Sequence, residues 1–321
     1  MNARTKVCRV PDITHDEWLA YRRTGIGGSD ASTIAGLNPY SSLYYLYNDK
    51  LGFLPRKEEV EAMRQGHDFE QYVADRWMEA TGKRCKRNNY MWRCDAHPCM
   101  LADIDREVIG ENAGLECKTT SVYNKADLEN GEIPLTYYVQ CLHYMEVMGF
   151  DKMYLAVLVL SKGFYHFEIQ RDEAEIQLLI QQEEDFWNNH VMKCDPPPLD
   201  GSDATASALN ELFPHSQPEG TVALSRKAVD ALAAADEYAE QIKVLQEGVQ
   251  ESKAIVMQEL GEYPMGLGDR YRVSWKTQAT TRIDTKRLKK EHPDIYEAYA
   301  HTTTSRVFRT KKLKTEEFEN V

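Results

Sequence analysis

The chain has 321 residues, 42% of them hydrophobic and 28% charged, which fits a soluble globular protein of one large domain or two smaller ones. A net charge of −12 argues against a protein that coats nucleic acid through many lysines, but it leaves room for an enzyme with a local basic channel. No apolar run approaches the roughly 18 residues that span a membrane. The opening MNARTKVCRVPD lacks the apolar segment of a secretory signal, and seven cysteines point to reduced thiols in a cytoplasm.

Residues 12–23 predict a helix, with Thr14 as N-cap and Glu17 closing a capping box. Gly25-Ile26-Gly27-Gly28-Ser29-Asp30 then turns into an apolar helical run from Ala31 to Leu37. Such a turn presents backbone N–H groups to an anion, although Ser29 or Asp30 can equally serve as a plain helix cap. Asn38 to Ser42 is a turn into a helix over 43–50, whose Tyr44, Tyr45 and Tyr47 either stack on bases or pack inside. Residues 56–81 form a charged amphipathic helix carrying Gly66, His67 and Glu70. His67 is either a DNA contact or a surface residue.

Residues 100–120, MLADIDREVIGENAGLECKTT, predict two strands, 100–109 and 115–119, around a turn at Gly110 to Gly114. Residues two apart on a strand share a face, so Glu116 and Lys118 point the same way, and Asp105 on the facing strand can join them. Two carboxylates and an ammonium in one small volume suit a Mg²⁺ ion at a phosphodiester, since Mg²⁺ takes one or two carboxylates and completes its shell with phosphate and water. Cys85, Cys94, His97 and Cys99 invite a zinc reading, but their spacing fits no common zinc pattern.

Residues 125–134 read as loop and 135–148 as a helix, on which Gln140 and Tyr144 share a face opposite the apolar Val139, Leu142, Met145 and Met148. A hairpin follows over 152–160 and 163–169. A helix over 172–192 then runs into Pro196-Pro197-Pro198, which cannot continue it. The resulting domains are 1–198, a polar linker 199–222, and an extension 223–321. The extension holds a helix over 225–260, about 50 Å long, a strand over 269–277, a short helix over 284–290 and a basic, strand-like segment over 306–314.

Asp105 followed by Glu116-Cys117-Lys118 resembles the D…(D/E)xK signature of restriction-endonuclease-like nucleases. Trp18-x-x-x-Arg22 with Gly-Ile-Gly-Gly-Ser-Asp, then Gly66-x-x-x-Glu70, then Gln140-x-x-x-Tyr144, resembles the YqaJ-type phage recombination exonucleases, relatives of lambda exonuclease. The resemblance covers roughly residues 14–195, with five motifs in order. It implies a mixed α/β restriction-endonuclease-like core and a Mg²⁺-dependent exonuclease with Mn²⁺ as a possible substitute and two ions per site. Asp105, Glu116, the Cys117 carbonyl and Glu70 would hold metal. Lys118 would position or activate water, and Gln140 and Tyr144 would orient Lys118 or the scissile phosphate. Arg22 and Ser29 would take the 5′-phosphate, with the backbone of Gly27 and Gly28 completing the pocket; Arg23 replaces Arg22 if the alignment slips by one. The iron–sulfur cysteine pattern of some relatives is absent. The implied partners are double-stranded DNA ends, a phage-encoded single-strand annealing protein and further copies of the chain in a trimeric ring. Two other readings stand beside this one: an endonuclease of the same fold, and a DNA-binding recombination protein without activity. The complete Asp105, Glu116, Lys118 set speaks against the last.

Overall fold

The computed structural model describes residues 3–56, 60–121, 128–217, 219–302 and 306–311. The chain divides into two compact units, Met1–Pro214 and His215–Val321.

The first unit is built on a mixed five-stranded sheet. Its strands are β2 (Cys85–Arg87), β5 (Arg106–Val108), β6 (Ala113–Thr120), β7 (Lys152–Val159) and β8 (Gly163–Gln170), in the order β2-β5-β6-β7-β8. Only β6 and β7 are parallel, with Glu116 opposite Leu155 and Lys118 opposite Val157. Parallel neighbours need a crossover, and the helix α5 (Leu135–Met148) supplies it. Every residue of α5 from Val139 to Met148 is buried, and Gly149 ends the helix at φ 64°, a left-handed backbone that suits glycine.

Alternation along β6 sorts the sheet into two faces. Ala113 and Leu115, with Cys117 packed against them, join Val73, Ala74 and Trp77 of α4 (Glu61–Thr81). The residues between them, Gly114, Glu116 and Lys118, turn to the α5 face, where Leu155, Val157, Cys141 and Met145 form the larger core. Two carboxylate-site residues thus emerge at the sheet's α5 face because the strand period puts them there.

A second, three-stranded antiparallel sheet joins β1 (Arg4–Arg9), β3 (Tyr90–Cys94) and β4 (Leu101–Ala102). The expected single strand over 100–109 is therefore two, one in each sheet. The break lies at Asp103-Ile104-Asp105. The Asp103 carboxylate accepts the Trp18 indole N–H at 2.8 Å and its carbonyl accepts the Tyr144 hydroxyl at 3.2 Å, so the backbone leaves one sheet before entering the other. Strands β1, β2 and β3 were not foreseen. β1 reads RTKVCR, with no alternation to mark it.

Helix α1 (His15–Arg23) starts on Thr14, whose hydroxyl accepts the Glu17 N–H, and Glu17 returns the bond, as the sequence implied. Helix α2 (Gly28–Ile34) begins three residues earlier than expected. Helix α3 spans Leu43–Lys50. Helix α6 (Glu173–Phe186) relaxes into a π-turn over Trp187–Val191 before the prolines.

The expected linker 199–222 contains a helix, α7 (Asp203–Leu212). Thr205 bonds Ser42 at 2.8 Å, and Ala208 packs with Tyr45 and Leu54. The helix escapes a hydrophobic reading because its buried positions are Ala204, Thr205 and Ala208, all small. Tyr45 and Tyr47 are buried, so they pack inside and do not meet bases.

In the second unit, helix α8 (Arg226–Leu260) is capped by Ser225. An antiparallel pair, β9 (Met265–Leu267) and β10 (Arg272–Ser274), occupies part of the expected strand 269–277. Helices α9 (Thr285–Glu291) and α10 (Pro293–Tyr299) follow. Of the segment expected to be strand-like over 306–314, residues 306–311 carry no strand and the rest lie outside the described residues, as do residues 125–127 of the expected loop. Among the described residues no helix is long and apolar enough to cross a membrane.

Ala208 is fully buried where α7 meets α3. Ala208→Asp places an unpaired charge there and is expected to destabilise the first unit by about 3 kcal/mol. Urea unfolding reads this as a lower midpoint; an unchanged midpoint would mean that α7 is not docked.

Candidate active site

The break between β4 and β5, the edge of β6, α5 and the turn into α2 meet at one cleft of about 540 Å³. Arg22, Gly27, Gly28, Ser29, Glu70, Asp103, Asp105, Glu116, Gln140 and Tyr144 line it. Residues from five separate motifs, up to 122 positions apart, thus share one concavity, and exposed His67 also lines it.

The Asp105 carboxylate accepts the backbone N–H of Cys117 at 2.7 Å, which ties the break in the first strand to the middle of β6. Glu116 lies 3% exposed. Its Oε1 receives the Lys118 ammonium at 2.6 Å and the Gln140 amide at 2.7 Å. Its Oε2 is buried with no hydrogen-bond partner. The Gln140 amide also donates to the Tyr144 hydroxyl at 3.1 Å, and that hydroxyl reaches the Asp103 carbonyl. Gln140 therefore holds Glu116, where the sequence had left it to Lys118 or a phosphate. Lys118 also lies over the Tyr137 ring at 5.3 Å.

Charge is unevenly matched here. Burial, then the charges of Glu116 and Glu70, raise the Asp105 carboxyl well above its ordinary range, against the pull of Lys118 and the Cys117 N–H. Burial also raises Glu116, although Lys118 opposes it. For Lys118, burial favours the neutral amine, but the Glu116 and Asp105 charges outweigh it and hold the ammonium. Glu70 has its own cations: Arg106 hydrogen-bonds it and Arg87 stands 3.7 Å away. Asp105 and Glu116 are left with one lysine between them.

Two neighbouring carboxylates, one with an orphaned oxygen, fit a hard divalent cation. Among the described residues no group of three or more His, Cys, Asp or Glu side chains is placed to hold a metal ion, so neither Cys85, Cys94, His97 and Cys99 nor Glu70, Asp105 and Glu116 form a ready-made set of side-chain ligands. A Mg²⁺ ion asks for less, because it keeps its waters and takes substrate oxygens. All seven cysteines are free thiols.

Beside the carboxylates sits a second cluster. Arg22 donates to the Ser29 hydroxyl at 2.8 Å and pairs with Asp30 at 3.1 Å, with its guanidinium 5.0 Å from the Trp18 ring. Buried Lys50 holds the other Asp30 oxygen at 2.6 Å. Asp30 also accepts the Gly27 N–H at 2.9 Å. That N–H was expected to face an anion, and Asp30 already uses it. Gly28 matters for its missing side chain, since a Cβ there would lie 2.5 Å from the Tyr144 ring and 3.0 Å from the Gln140 side chain. Only glycine lets α2 approach the α5 residues that hold Glu116. Arg23 pairs with Asp49 at 3.5 Å and does not line the cleft.

Sequence reasoning passed over Asp103, Arg106, Lys50 and the buried pair His143 and Glu183. Asp103 stands two residues before Asp105, and that repetition was the available signal. The others are single charges in apolar or mixed stretches, with nothing in their spacing to mark them.

A mixed sheet crossed by a buried helix, with Asp, Glu and Lys at the α5 face, defines a protein with a restriction-endonuclease-like core. The chain belongs to the YqaJ family: the family model described as YqaJ-like viral recombinase domain matches residues 17–151. The uncharacterised protein YqaJ of Bacillus subtilis (strain 168) is 37% identical over 312 residues, covering 94% of this chain and 96% of that one. Among solved structures, an alkaline exonuclease from Laribacter hongkongensis aligns at 19% identity over 54% of this chain and 91% of its own, with a TM-score of 0.45. A phage-related exonuclease from Haemophilus somnus 129PT aligns at 12% identity over 55% and 99%, with a TM-score of 0.43.

Burial would raise the Asp30 carboxyl, but Lys50 and Arg22 reverse this and hold it at about 2. A carboxyl depressed on folding contributes stability above its unfolded value, near 3.8, and loses it as pH falls through about 2. Asp30→Asn is therefore expected to cost more at pH 7 than at pH 3, the gap to wild type narrowing by about 1 kcal/mol. Urea titrations of both proteins at the two pH values check it; a gap independent of pH would show that Asp30 titrates normally.

Proposed function

We propose that this chain is a Mg²⁺-dependent deoxyribonuclease of phage recombination. It degrades one strand of linear duplex DNA from the 5′ end and leaves a 3′ single strand for annealing. The observation that carries the reading is the pairing of buried Glu116 with half-buried Asp105 beside Lys118, which bonds Glu116, with one Glu116 oxygen unpartnered. The cleft beside them also holds an arginine–serine pair suited to a phosphate.

In this reading Asp105, Glu116 and the Cys117 carbonyl hold the metal, with Glu70 in the same shell. The metal, when bound, supplies Lewis-acid stabilisation of the phosphoryl oxygens and of the attacking and leaving groups, with two ions able to serve both. Lys118, an ammonium anchored on Glu116, orients the attacking water and offsets charge gathering on the phosphate. Gln140 fixes the Glu116 carboxylate, and Tyr144 fixes Gln140 against the Asp103 backbone. A 5′-terminal phosphate carries more charge than an internal diester, and Arg22 and Ser29 can grip it. Mn²⁺ can replace Mg²⁺. The enzyme works as a homo-oligomer, a trimeric ring around the duplex, in a bacterial cytoplasm, and passes its 3′ strand to a phage-encoded annealing protein.

Asp105→Ala, Glu116→Ala and Lys118→Ala are each expected to lower cleavage of an end-labelled linear duplex by at least about a hundredfold. The first two also lose Mg²⁺ binding by calorimetry, and Lys118→Ala keeps it. Lys118→Ala cutting at wild-type rate would remove the site, and equal cleavage of closed circles would favour the endonuclease.

Wild-type enzyme is expected to degrade 5′-phosphorylated duplex faster than the same duplex ending in 5′-hydroxyl, and Arg22→Ala to erase most of that difference with Mg²⁺ binding intact. One time course on the four combinations decides it. Equal wild-type rates on both ends would dismiss the phosphate pocket.

A further inference from the structure

Beside the cleft, where α5 meets β4 and α6, lies a buried polar pair. The His143 and Glu183 side chains are both 0% exposed. His143 Nδ1 lies 2.8 and 3.0 Å from the two oxygens of Glu183 on α6, and Nε2 lies 2.8 Å from the Leu101 carbonyl on β4. A carbonyl only accepts, so Nε2 carries a proton. The pair is therefore satisfied at both nitrogens, either as imidazolium with carboxylate or with the shared proton on Glu183. Burial alone would lower the imidazole, but the Glu183 charge and hydrogen bond and the Leu101 carbonyl raise it above its ordinary value.

Its position matters more than its charge state. Leu101 is two residues before Asp103 and four before Asp105. His143 adjoins Tyr144 and follows Gln140 by one helical turn. We infer that the His143–Glu183 pair is a positioning device, which fixes β4, and with it the break that bears Asp103 and Asp105, against the helix bearing Gln140 and Tyr144. The chain Leu101–His143–Glu183 spans three elements, β4, α5 and α6, and of the three only Leu101 lines the cleft. Apolar residues of similar volume would fill the space, but they would set no register. A second tie, Arg171 to the Met145 carbonyl at 2.8 Å and to Glu146 at 2.5 Å, holds only the end of α5. The inference rests on the nuclease reading above, because what is positioned is that reading's machinery.

The test uses the full chain, linear duplex and Mg²⁺, with kcat, KM and calorimetric Mg²⁺ affinity measured together. In His143→Gln the amide can bond Leu101, but it sets its oxygen or second N–H poorly against the Glu183 carboxylate. Both kcat and Mg²⁺ affinity are expected to fall about tenfold at unchanged KM. Glu183→Gln can donate to neutral Nδ1 while Nε2 keeps Leu101, so kcat stays within about twofold. The double variant pairs amide with amide and recovers most of both losses. A folded His143→Gln with wild-type kcat and Mg²⁺ affinity would overturn the inference, as would a double variant no better than the single one. If His143→Gln does not fold, Glu183→Leu against Glu183→Gln gives the same reading: loss in the first alone supports it, and no loss in either refutes it. A wild-type enzyme that binds Mg²⁺ but cuts nothing indicts the nuclease reading alone, since the metal-affinity arm still judges the pair.

Discussion

Two carboxylates, buried Glu116 and half-buried Asp105, stand close enough to feel each other's charge, with a single ammonium bonded to Glu116. Left alone, such a pair would take up a proton, because burial and like charge both disfavour the second ionisation. Much of the surrounding structure reads as a response. The Cys117 N–H donates to Asp105, Lys118 and Gln140 converge on one oxygen of Glu116, and Arg106 with Arg87 neutralises Glu70. What remains is one bare oxygen on Glu116 and an Asp105 carboxylate with no cation bonded to it in the ion pairs above.

The geometry that achieves this comes from two backbone features. The strand period on β6 throws Glu116 and Lys118 to the α5 face and Cys117 to the α4 face. The break at Asp103-Ile104-Asp105 lets Asp105 leave its strand and reach across to β6, while Asp103 is caught by Trp18 and Tyr144. Helix α2 can close the cleft only because residue 28 has no side chain to strike Tyr144. The charge cluster of Arg22 on α1, Asp30 on α2 and Lys50 on α3 brings a cation to the cleft and anchors it from behind.

The sequence disclosed this unevenly. Helices α1, α3 and α8 were legible because a polar cap stands before each, and α5 because its apolar residues recur at helical spacing. The ExK strand and β8 were legible because residue type alternates, and β7 because it is a short apolar run before the Ser161-Lys162 turn. Strands β1 and β2 carry mostly polar, unalternating residues, and they exist because tertiary neighbours complete them. Helix α7 hides among polar residues because it buries only small side chains. At the site, motif spacing placed Asp105, Glu116, Lys118, Gln140 and Tyr144 near one another, but it could not say who bonds whom. Gln140 turned to Glu116, and Asp30 took the Gly27 N–H, because buried donors and acceptors must all be satisfied at once. His143 and Glu183, 40 residues apart on two helices, leave no local trace at all.

These same contacts bear on whether such a site belongs to an enzyme or to a protein that merely holds DNA. Binding a duplex asks for cations facing phosphates and has no use for acidic groups buried beside them. Replacing a buried charge cluster with apolar residues of like volume is often neutral or stabilising. A binding module would therefore gain by losing Asp105 and Glu116 together, and Gln140, Tyr144 and the Asp103 backbone would then have nothing to orient. Here the opposite arrangement stands: the charges are kept, desolvated, and braced from three elements, with one oxygen left over. That is costly for a scaffold, and it is the condition a metal-assisted phosphodiesterase requires, because a preorganised charge acts most strongly where water has been excluded.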